Sequence, residues 1–263
     1  MRKSILICVL SLFPVLPIAR AQESWITIQP GLDLLRAHFE DRGQKFSFAL
    51  VKCDPRKNEV RIIDVFHELG RSRSFSAYSL RAVKDKTEAD IVTNAGSTAS
   101  YSLPAPTGLL QIKGKTVSPL NRQVQNAGIL CINQGRVSIV PVPQTDRLPK
   151  CTDAVQRGPY LTRESVSDLD ASQHFRRTAV GVDRDGNLLI LVTDEGISLA
   201  ALGSFLYSSK LNLKVSAALN LDGAASSGLI ATILQRTRGQ RDITVGSTDG
   251  LIASSIAITK KHP

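Results

Sequence analysis

The sequence has few cysteines and histidines, and none of them is spaced as a metal ligand would be. Only four Cys and four His occur among 263 residues, and each histidine stands alone. Zinc sites place Cys or His ligands in pairs a few residues apart. The sequence therefore predicts no bound metal.

The common catalytic and cofactor motifs are missing as well. The chain contains no Gly-x-Ser-x-Gly nucleophile turn, no Gly-x-x-x-x-Gly-Lys-Ser/Thr phosphate loop and no Gly-x-Gly-x-x-Gly dinucleotide fingerprint. We therefore expect no cofactor, and no motif favours a protease or a lipase. A Ser–His pair stays open, because such partners are distant in sequence.

Positive charge is in excess but is not clustered. The chain has 33 Lys and Arg against 23 Asp and Glu, and no basic tract is longer than a pair. Nucleic-acid-binding surfaces concentrate basic residues on one face or along one helix. We therefore predict no nucleic-acid partner. Solvated surface, an anionic envelope surface and a phosphorylated substrate all remain compatible with this charge.

Long apolar runs are absent except near the N-terminus, over residues 5–18. Arg2 and Lys3 precede this run, and Ala19-Arg20-Ala21 follows it with small residues at the positions a signal peptidase requires. The run is shorter than the ~20 residues of a membrane-spanning helix. Residues 1–21 are thus predicted to be a signal peptide instead of a membrane anchor. We expect an exported protein, secreted or periplasmic, that does not span a membrane.

Three cysteines, Cys53, Cys131 and Cys151, remain after the predicted cleavage. An odd number in an exported protein allows one disulfide and one unpaired thiol. Cys131 and Cys151 bracket a proline-rich loop that a bridge would hold, so this pair is favoured. Three free thiols are the alternative.

Alternating apolar and polar residues indicate many short strands, with two helix-then-strand units among them. Helices are predicted over residues 76–86 and 198–209, the second capped by Ser198. Three hairpins are predicted, joining residues 46–53 with 59–66, 128–133 with 137–142, and 178–183 with 187–193. The expected fold is α+β, with a mixed or mostly antiparallel sheet. No linker divides residues 22–263, so a single domain is predicted.

Turns of small residues at strand ends supply the candidate site residues, because the backbone can approach a ligand closely there. Asn220-Leu221-Asp222-Gly223 follows an apolar strand and precedes Ser226 and Ser227. Arg177 and Thr178 begin another strand, and a guanidinium suits a phosphate. Asp194 ends a third. Each also has an ordinary reading: a strand-capping turn, surface charge, or a carboxylate favouring the helix that follows.

The order of the motifs resembles the phosphodiester glycosidase family between about Phe46 and Leu229. The resemblance depends on a set of short matches: Asn94-Ala95-Gly96, Pro106-Thr107-Gly108-Leu109, Gly114-Lys115, Ser118-Pro119-Leu120-Asn121, Gly158-Pro159, Arg177-Thr178-Ala179-Val180-Gly181-Val182, and Leu219-Asn220-Leu221-Asp222-Gly223 with Ser226-Ser227. Two positions differ from the family pattern. Ser97-Thr98 stands where the family usually has aromatics, and Ala224 replaces a frequent glycine.

The resemblance implies hydrolysis of a sugar 1-phosphodiester in envelope or exopolysaccharide glycans. Asp222 is then expected to be the nucleophile or base, with Asp194 as a second carboxylate. The expected phosphate- and substrate-binding residues are Arg177, Thr178, Asn94, Gly96, Asn220, Gly223, Ser226 and Ser227. The alternative is a catalytically silent protein that binds glycan or phosphoglycan, which the missing aromatics after Asn94 favour.

Overall fold

The structure is a computed structural model that describes residues 24–41, 44–70, 78–99, 105–144, 148–235 and 239–261. The predicted signal peptide lies outside the described residues. Within them, seventeen strands, numbered in chain order, form three sheets in which every strand pairing is antiparallel. Together with a few short helices, these sheets confirm the predicted α+β class.

Each sheet takes strands from distant parts of the chain. The first has the order β1 (Ile26–Gln29), β2 (Leu32–Asp41), β3 (Gln44–Cys53), β13 (Leu188–Thr193), β12 (Thr178–Asp183), β14 (Val215–Asn220), β11 (Tyr160–Leu161). The second has the order β7 (Lys115–Ser118), β6 (Leu110–Ile112), β10 (Asp153–Arg157), β8 (Gly128–Asn133), β9 (Arg136–Pro141). The third has the order β16 (Gly239–Gly246), β15 (Gly228–Gln235), β5 (Ile91–Asn94), β17 (Ser254–Lys260), β4 (Asn58–Asp64).

Alternation of side chains places one face of each sheet on a shared central core. In β13, Ile190 and Val192 join this core, and its other contributors include Leu130 of the second sheet and Ile256 of the third. The intervening residue Leu191 belongs instead to a cluster on the outer face of the first sheet. Burial on both faces explains why β13 reads as a short, uninterrupted apolar segment.

In the described ranges, three α-helices cover outer faces of the first and third sheets, namely α1 (Val65–Leu69), α2 (Leu80–Thr87) and α3 (Leu199–Leu206). Ser198 caps α3 as predicted, since its hydroxyl accepts a hydrogen bond from the amide of Ala201. Ser79 caps α2 in the same way through Ala82. Both predicted helices therefore exist, with ends that lie inside the predicted ranges or one residue beyond.

Two of the predicted hairpins are confirmed, and the third is wrong. β8 pairs with β9 and β12 pairs with β13, but β3 and β4 lie in different sheets. The turn between β3 and β4 is a corner. The amide of Asp54 donates to the carbonyl of Gly31, while the buried amide side chain of Asn58 donates to the carbonyls of Pro30 and Asp54. These bonds direct β4 away from β3.

Three strands were missing from the sequence prediction, β2, β10 and β16. β16 is largely exposed and polar, and β10 has only two apolar residues in five, so neither shows a clear alternation. The predicted disulfide is confirmed, because Cys131 and Cys151 are bonded with their Cα atoms 5.4 Å apart. Cys53 is a buried free thiol.

Candidate active site

Strand ends from all three sheets meet at one place, which we call the joint edge. β5, β10 and β14 end there, with Asn94, Arg157 and Asn220 as their last residues, and β12 and β15 begin there. Hydrogen bonds between residues of different sheets fix the arrangement, as described below. The joint edge contains most of the residues predicted for the site.

Asn94 connects the first and third sheets through a buried network. Its Oδ1 accepts hydrogen bonds from Thr178 Oγ1 at 2.8 Å and from the Gly228 amide at 3.1 Å. Its Nδ2 donates to the carbonyl of Asp222 at 2.7 Å. Because Thr178 uses its proton on Asn94, the hydroxyl of Ser227 donates to Thr178 Oγ1 at 2.7 Å. Asn94, Thr178 and Ser227 are fully buried, and their side chains support the Asp222 turn from inside the protein.

The Asp222 carboxylate is held by two side chains and stays partly open. Arg157 Nη2 donates to Oδ1 at 2.9 Å, and Ser226 Oγ donates to Oδ2 at 2.5 Å. The Asp222 side chain is 15% exposed, so a ligand can reach it. A charged donor and a neutral donor each bond one oxygen, which fixes the orientation of the carboxylate. The carboxylate is thus oriented and accessible, as a nucleophile or base requires.

Arg157 was not among the predicted site residues. It ends β10, a strand that the sequence prediction missed, and it directly precedes the Gly158-Pro159 match to the family. Val155, two residues earlier, packs in the central core, and alternation places Arg157 on the same face. Recognising β10 would have placed Arg157 on the core-facing side of a strand end, which marks it as a candidate.

Arg177 lies at the joint edge, but its guanidinium contacts main-chain carbonyls. Nε donates to Ile197 and Nη2 to Gln173, both at 3.1 Å, and Cζ lies 5.5 Å from the ring centre of Phe175. Burial lowers the pKa of Arg177, and the charge of Asp170 offsets part of that shift. Within the described part of the chain, no hydrogen bond or ion pair joins Arg177 to Asp222. Its predicted phosphate-binding role stays a prediction.

Asp194 follows β13 and has separate partners. Its carboxylate accepts from Arg36 Nη2 at 3.4 Å and from the amide of Gly246 at 3.3 Å. No described hydrogen bond connects Asp194 with Asp222. The assignment of Asp194 as a second carboxylate is therefore still a prediction.

The two predicted glycines lie at close backbone approaches. A Cβ on Gly96 would lie 2.9 Å from Ser254 Oγ and 3.0 Å from a methyl group of Val155, and a Cβ on Gly223 would lie 3.0 Å from the carbonyl of Arg176. The Gly96 amide donates to Ser254 Oγ at 2.8 Å. Close packing therefore explains a small residue at both positions. The Gly96 amide already has a protein partner.

Asn220 fixes the end of β14 and has one unused atom. Its Nδ2 donates to the carbonyls of Gly158 and Leu221, at 3.1 and 3.0 Å. Its Oδ1 is buried without a hydrogen-bond partner, and so is Nε of Arg157. Buried polar atoms are nearly always hydrogen-bonded, so two unpaired atoms at the joint edge mark it as unusual.

The two departures from the family pattern have different surroundings. Ala224 has φ of 56°, in the left-handed region that favours glycine, and its amide donates to the carbonyl of Arg176. A glycine is therefore the less strained choice in this turn. Ser97 accepts from the amide of Thr107, and Thr98 pairs with Pro106 in an isolated bridge.

A cleft of about 1120 Å³ lies elsewhere, lined by residues such as Ile62, Lys113 and Asp153. Asp153 begins β10 and Arg157 ends it, so the cleft lies towards the other end of that strand. None of the predicted site residues lines it. In the described segments, no group of three or more His, Cys, Asp and Glu is placed to hold a metal ion.

Comparison with protein families identifies the family to which this chain belongs. The phosphodiester glycosidase family model matches residues 87–258, which is more than half of the chain. The chain therefore belongs to the phosphodiester glycosidase family. The match includes Asn94, Arg157, Arg177, Asp194 and Asp222, so the whole joint edge lies inside it. No curated protein matches the sequence.

Two solved structures are similar in fold. The zebrafish N-acetylglucosamine-1-phosphodiester alpha-N-acetylglucosaminidase catalytic domain, auto-inhibited by its pro-peptide, is 17% identical with a TM-score of 0.63. The alignment covers 91% of this chain and 87% of that one. A hypothetical protein from Synechocystis is 15% identical with a TM-score of 0.61, and the alignment covers 92% of this chain and 64% of that one. The present chain is thus shorter than the Synechocystis protein.

No helix in the described part of the chain is both long and apolar enough to cross a membrane.

Proposed function

We propose that this protein is a hydrolase of sugar 1-phosphodiesters, acting on envelope or exopolysaccharide glycans. The observation that carries the proposal is the Asp222 carboxylate, held by Arg157 and Ser226 yet partly open to solvent. The family supports the chemical class, and the zebrafish relative's name suggests N-acetylglucosamine as the first sugar to test.

The chemistry suits a site with few titratable groups. The bond that breaks joins the anomeric carbon to a phosphodiester oxygen, and the electron pair leaves with the phosphate. The released phosphomonoester has a second pKa near 6, so it departs without a general acid. Asp222 either attacks the anomeric carbon or removes a proton from the attacking water. Water adds its oxygen to the sugar, and the products are a free sugar and a phosphomonoester.

The remaining predicted residues, except Arg177, are assigned supporting roles. Asn94, Thr178 and Ser227 hold the Asp222 turn, and Ser226 orients the carboxylate. Asn220 is proposed to contact a sugar hydroxyl. Asp194 is proposed as a second negative charge that stabilises the oxocarbenium-like centre, and Gly96 and Gly223 let the backbone approach the substrate.

The test is hydrolysis of the methyl phosphodiester of N-acetylglucosamine 1-phosphate by residues 22–263. Carried out in ¹⁸O water, the reaction should place the label on the sugar and none on the phosphate. Asp222→Asn should lower kcat by at least about 10²-fold while the protein stays folded. The matched control is Asp242→Asn. Asp242 lies in β16, the edge strand of the third sheet, where its carboxylate bonds Thr232 and Arg81.

Label on the phosphate would contradict the proposal, because it would mean that the phosphorus–oxygen bond breaks instead. The second candidate is a silent glycan- or phosphoglycan-binding protein, favoured by Ser97-Thr98 where the family has aromatics. Binding without hydrolysis, over several sugar phosphodiesters, would establish that candidate.

We also propose that the protein is exported after cleavage behind Ala21. The basic N-terminus, the apolar run and the disulfide between Cys131 and Cys151 support this, since disulfides persist in oxidising compartments. Mass spectrometry of the protein from its native host should give a chain that begins at Gln22. A chain that still begins at Met1 in the cytoplasm would refute export.

A further inference from the structure

Arg157 has more hydrogen-bonding capacity than its described partners use. A guanidinium carries five N–H donors in a fixed planar fork. Arg157 makes one hydrogen bond among the described residues, from Nη2 to Asp222 Oδ1 at 2.9 Å. Its Nε is buried without a partner, while the side chain as a whole is 27% exposed. One part of the group is thus unpaired, and another part is accessible from outside.

Arg157 and Arg177 differ in how far each guanidinium is available to a ligand. The Arg177 guanidinium donates to the carbonyls of Gln173 and Ile197, and the residue is 8% exposed. Arg157 instead contacts Asp222, the carboxylate proposed as nucleophile or base. Planar guanidinium groups bind phosphate through two parallel hydrogen bonds, which gives both strength and orientation.

A second buried atom without a hydrogen-bond partner is Oδ1 of Asn220, a residue that bonds the chain next to Arg157. Asn220 is 5% exposed, and its Nδ2 donates to Gly158, the residue after Arg157. Its Oδ1 accepts nothing. An unpaired cationic donor at the end of β10 and an unpaired amide acceptor at the end of β14 match a ligand that carries both an anion and a hydroxyl group.

We propose that Arg157 is the phosphate-binding residue of the site, and that the substrate's phosphate displaces Asp222 as the partner of the Arg157 guanidinium. The identity of the substrate as a sugar phosphodiester rests on the proposed function. Binding breaks the ion pair between Arg157 and Asp222, so the carboxylate faces the anomeric carbon without a competing cation. A neutral glycoside leaves the ion pair intact. Arg157 therefore distinguishes phosphodiesters from ordinary glycosides.

The first experiment measures binding without relying on turnover. Isothermal titration with N-acetylglucosamine 1-phosphate and with inorganic phosphate compares the wild type with Arg157→Gln and Arg157→Lys. We expect Arg157→Gln to weaken both by at least about tenfold, the loss of one charge-assisted hydrogen bond. Arg157→Lys should fall between, because it keeps the charge and loses the fork. Thermal unfolding checks that each variant is folded.

Two further variants make the inference specific. Arg163→Gln removes the same charge from an exposed arginine whose described contacts are with Tyr207, and should bind phosphate within about twofold of the wild type. Asp222→Asn removes the competing carboxylate, so it should bind phosphate several-fold more tightly than the wild type. Adding Arg157→Gln to Asp222→Asn should abolish that gain.

The possible outcomes separate this inference from the proposed function. Phosphate binding by Arg157→Gln at wild-type strength overturns the inference, even if hydrolysis is observed. Weaker phosphate binding by Asp222→Asn also overturns it, since the carboxylate would then not compete. Arg157-dependent phosphate binding by a protein that hydrolyses no sugar phosphodiester supports the inference and refutes the proposed enzyme.

Discussion

The side-chain amide of Asn94 donates a 2.7 Å hydrogen bond to the backbone carbonyl of Asp222, 128 residues later in the chain. A residue at the end of one sheet thus fixes the turn that leaves another. The amide of Asp222 also donates to the carbonyl of Ala95, so the two turns are joined by two hydrogen bonds. The position of the proposed catalytic carboxylate therefore depends on the packing of two sheets.

The buried hydroxyl of Thr178 connects Asn94 with Ser227, so its loss should be costly. Thr178→Val keeps the side-chain shape but leaves the Ser227 hydroxyl without its acceptor and removes one of the two donors to Asn94 Oδ1. We expect the free energy of unfolding to fall by about 1–3 kcal/mol. Urea denaturation measures it. Thr232→Val is the control, since its hydroxyl bonds Asp242 at the surface, and it should change stability by less than about 0.5 kcal/mol.

The strained turn after Asp222 should be improved by glycine. Ala224 has φ of 56°, a conformation that costs an L-residue roughly 1–2 kcal/mol. Ala224→Gly removes that cost but adds freedom to the unfolded chain. We expect a net stabilisation of about 0.5–1 kcal/mol in urea denaturation. Destabilisation would mean that Ala224 is not left-handed in the folded protein.

The disulfide between Cys131 and Cys151 joins β8 to the segment before β10 and closes a separation of 20 residues. Loop closure of this size stabilises by about 3 kcal/mol. Reductant should therefore lower the Tm of the wild type by several degrees. The double variant Cys131→Ala, Cys151→Ala should have the lower Tm at the start and should not respond to reductant. A response of the double variant would assign the effect to something other than this bridge.

Asp183 should make stability depend on pH in the acid range. Burial raises its pKa, but hydrogen bonds from Asn187 and the nearby Lys52 outweigh burial, so the pKa is lowered overall. A carboxyl with a lowered folded-state pKa stabilises above its unfolded pKa of about 3.9, and this stabilisation is lost as pH falls through the folded-state value. Asp183→Asn should therefore lose less stability than the wild type between pH 6 and about pH 3, measured by urea denaturation. Equal losses in the two proteins would exclude Asp183 as the cause.

The sequence predicted elements better than it predicted their partners. The alternation in residues 46–53 identifies β3, and Arg184-Asp185-Gly186 identifies the β12–β13 hairpin. The same pattern did not reveal that β3 and β4 separate at a corner. Backbone hydrogen bonds are alike for any pair of strands, so periodicity defines the faces of a strand without naming its neighbour.

The candidate site shows the same division. Asp222 and its turn were recognisable from the motif, whereas Arg157 was found only once β10 was placed. Alternation also indicates that Arg177 and Thr178 do not act on the same side of the strand. Arg177 and Thr178 are consecutive, so their side chains lie on opposite faces of the strand. In the structure, Thr178 bonds Asn94 and Arg177 bonds Ile197.

By itself, the sequence determined the α+β class and the family motifs and favoured the cysteine pair, because composition, spacing and local periodicity are properties of short segments. The tertiary structure decided which cation meets the carboxylate, since Arg157 and Asp222 are 65 residues apart, one at the end of a strand of the second sheet and the other just after a strand of the first. Such a pair forms only when two sheets share a core and bring their strand ends together. The ion pair is therefore a consequence of packing, which no local pattern records.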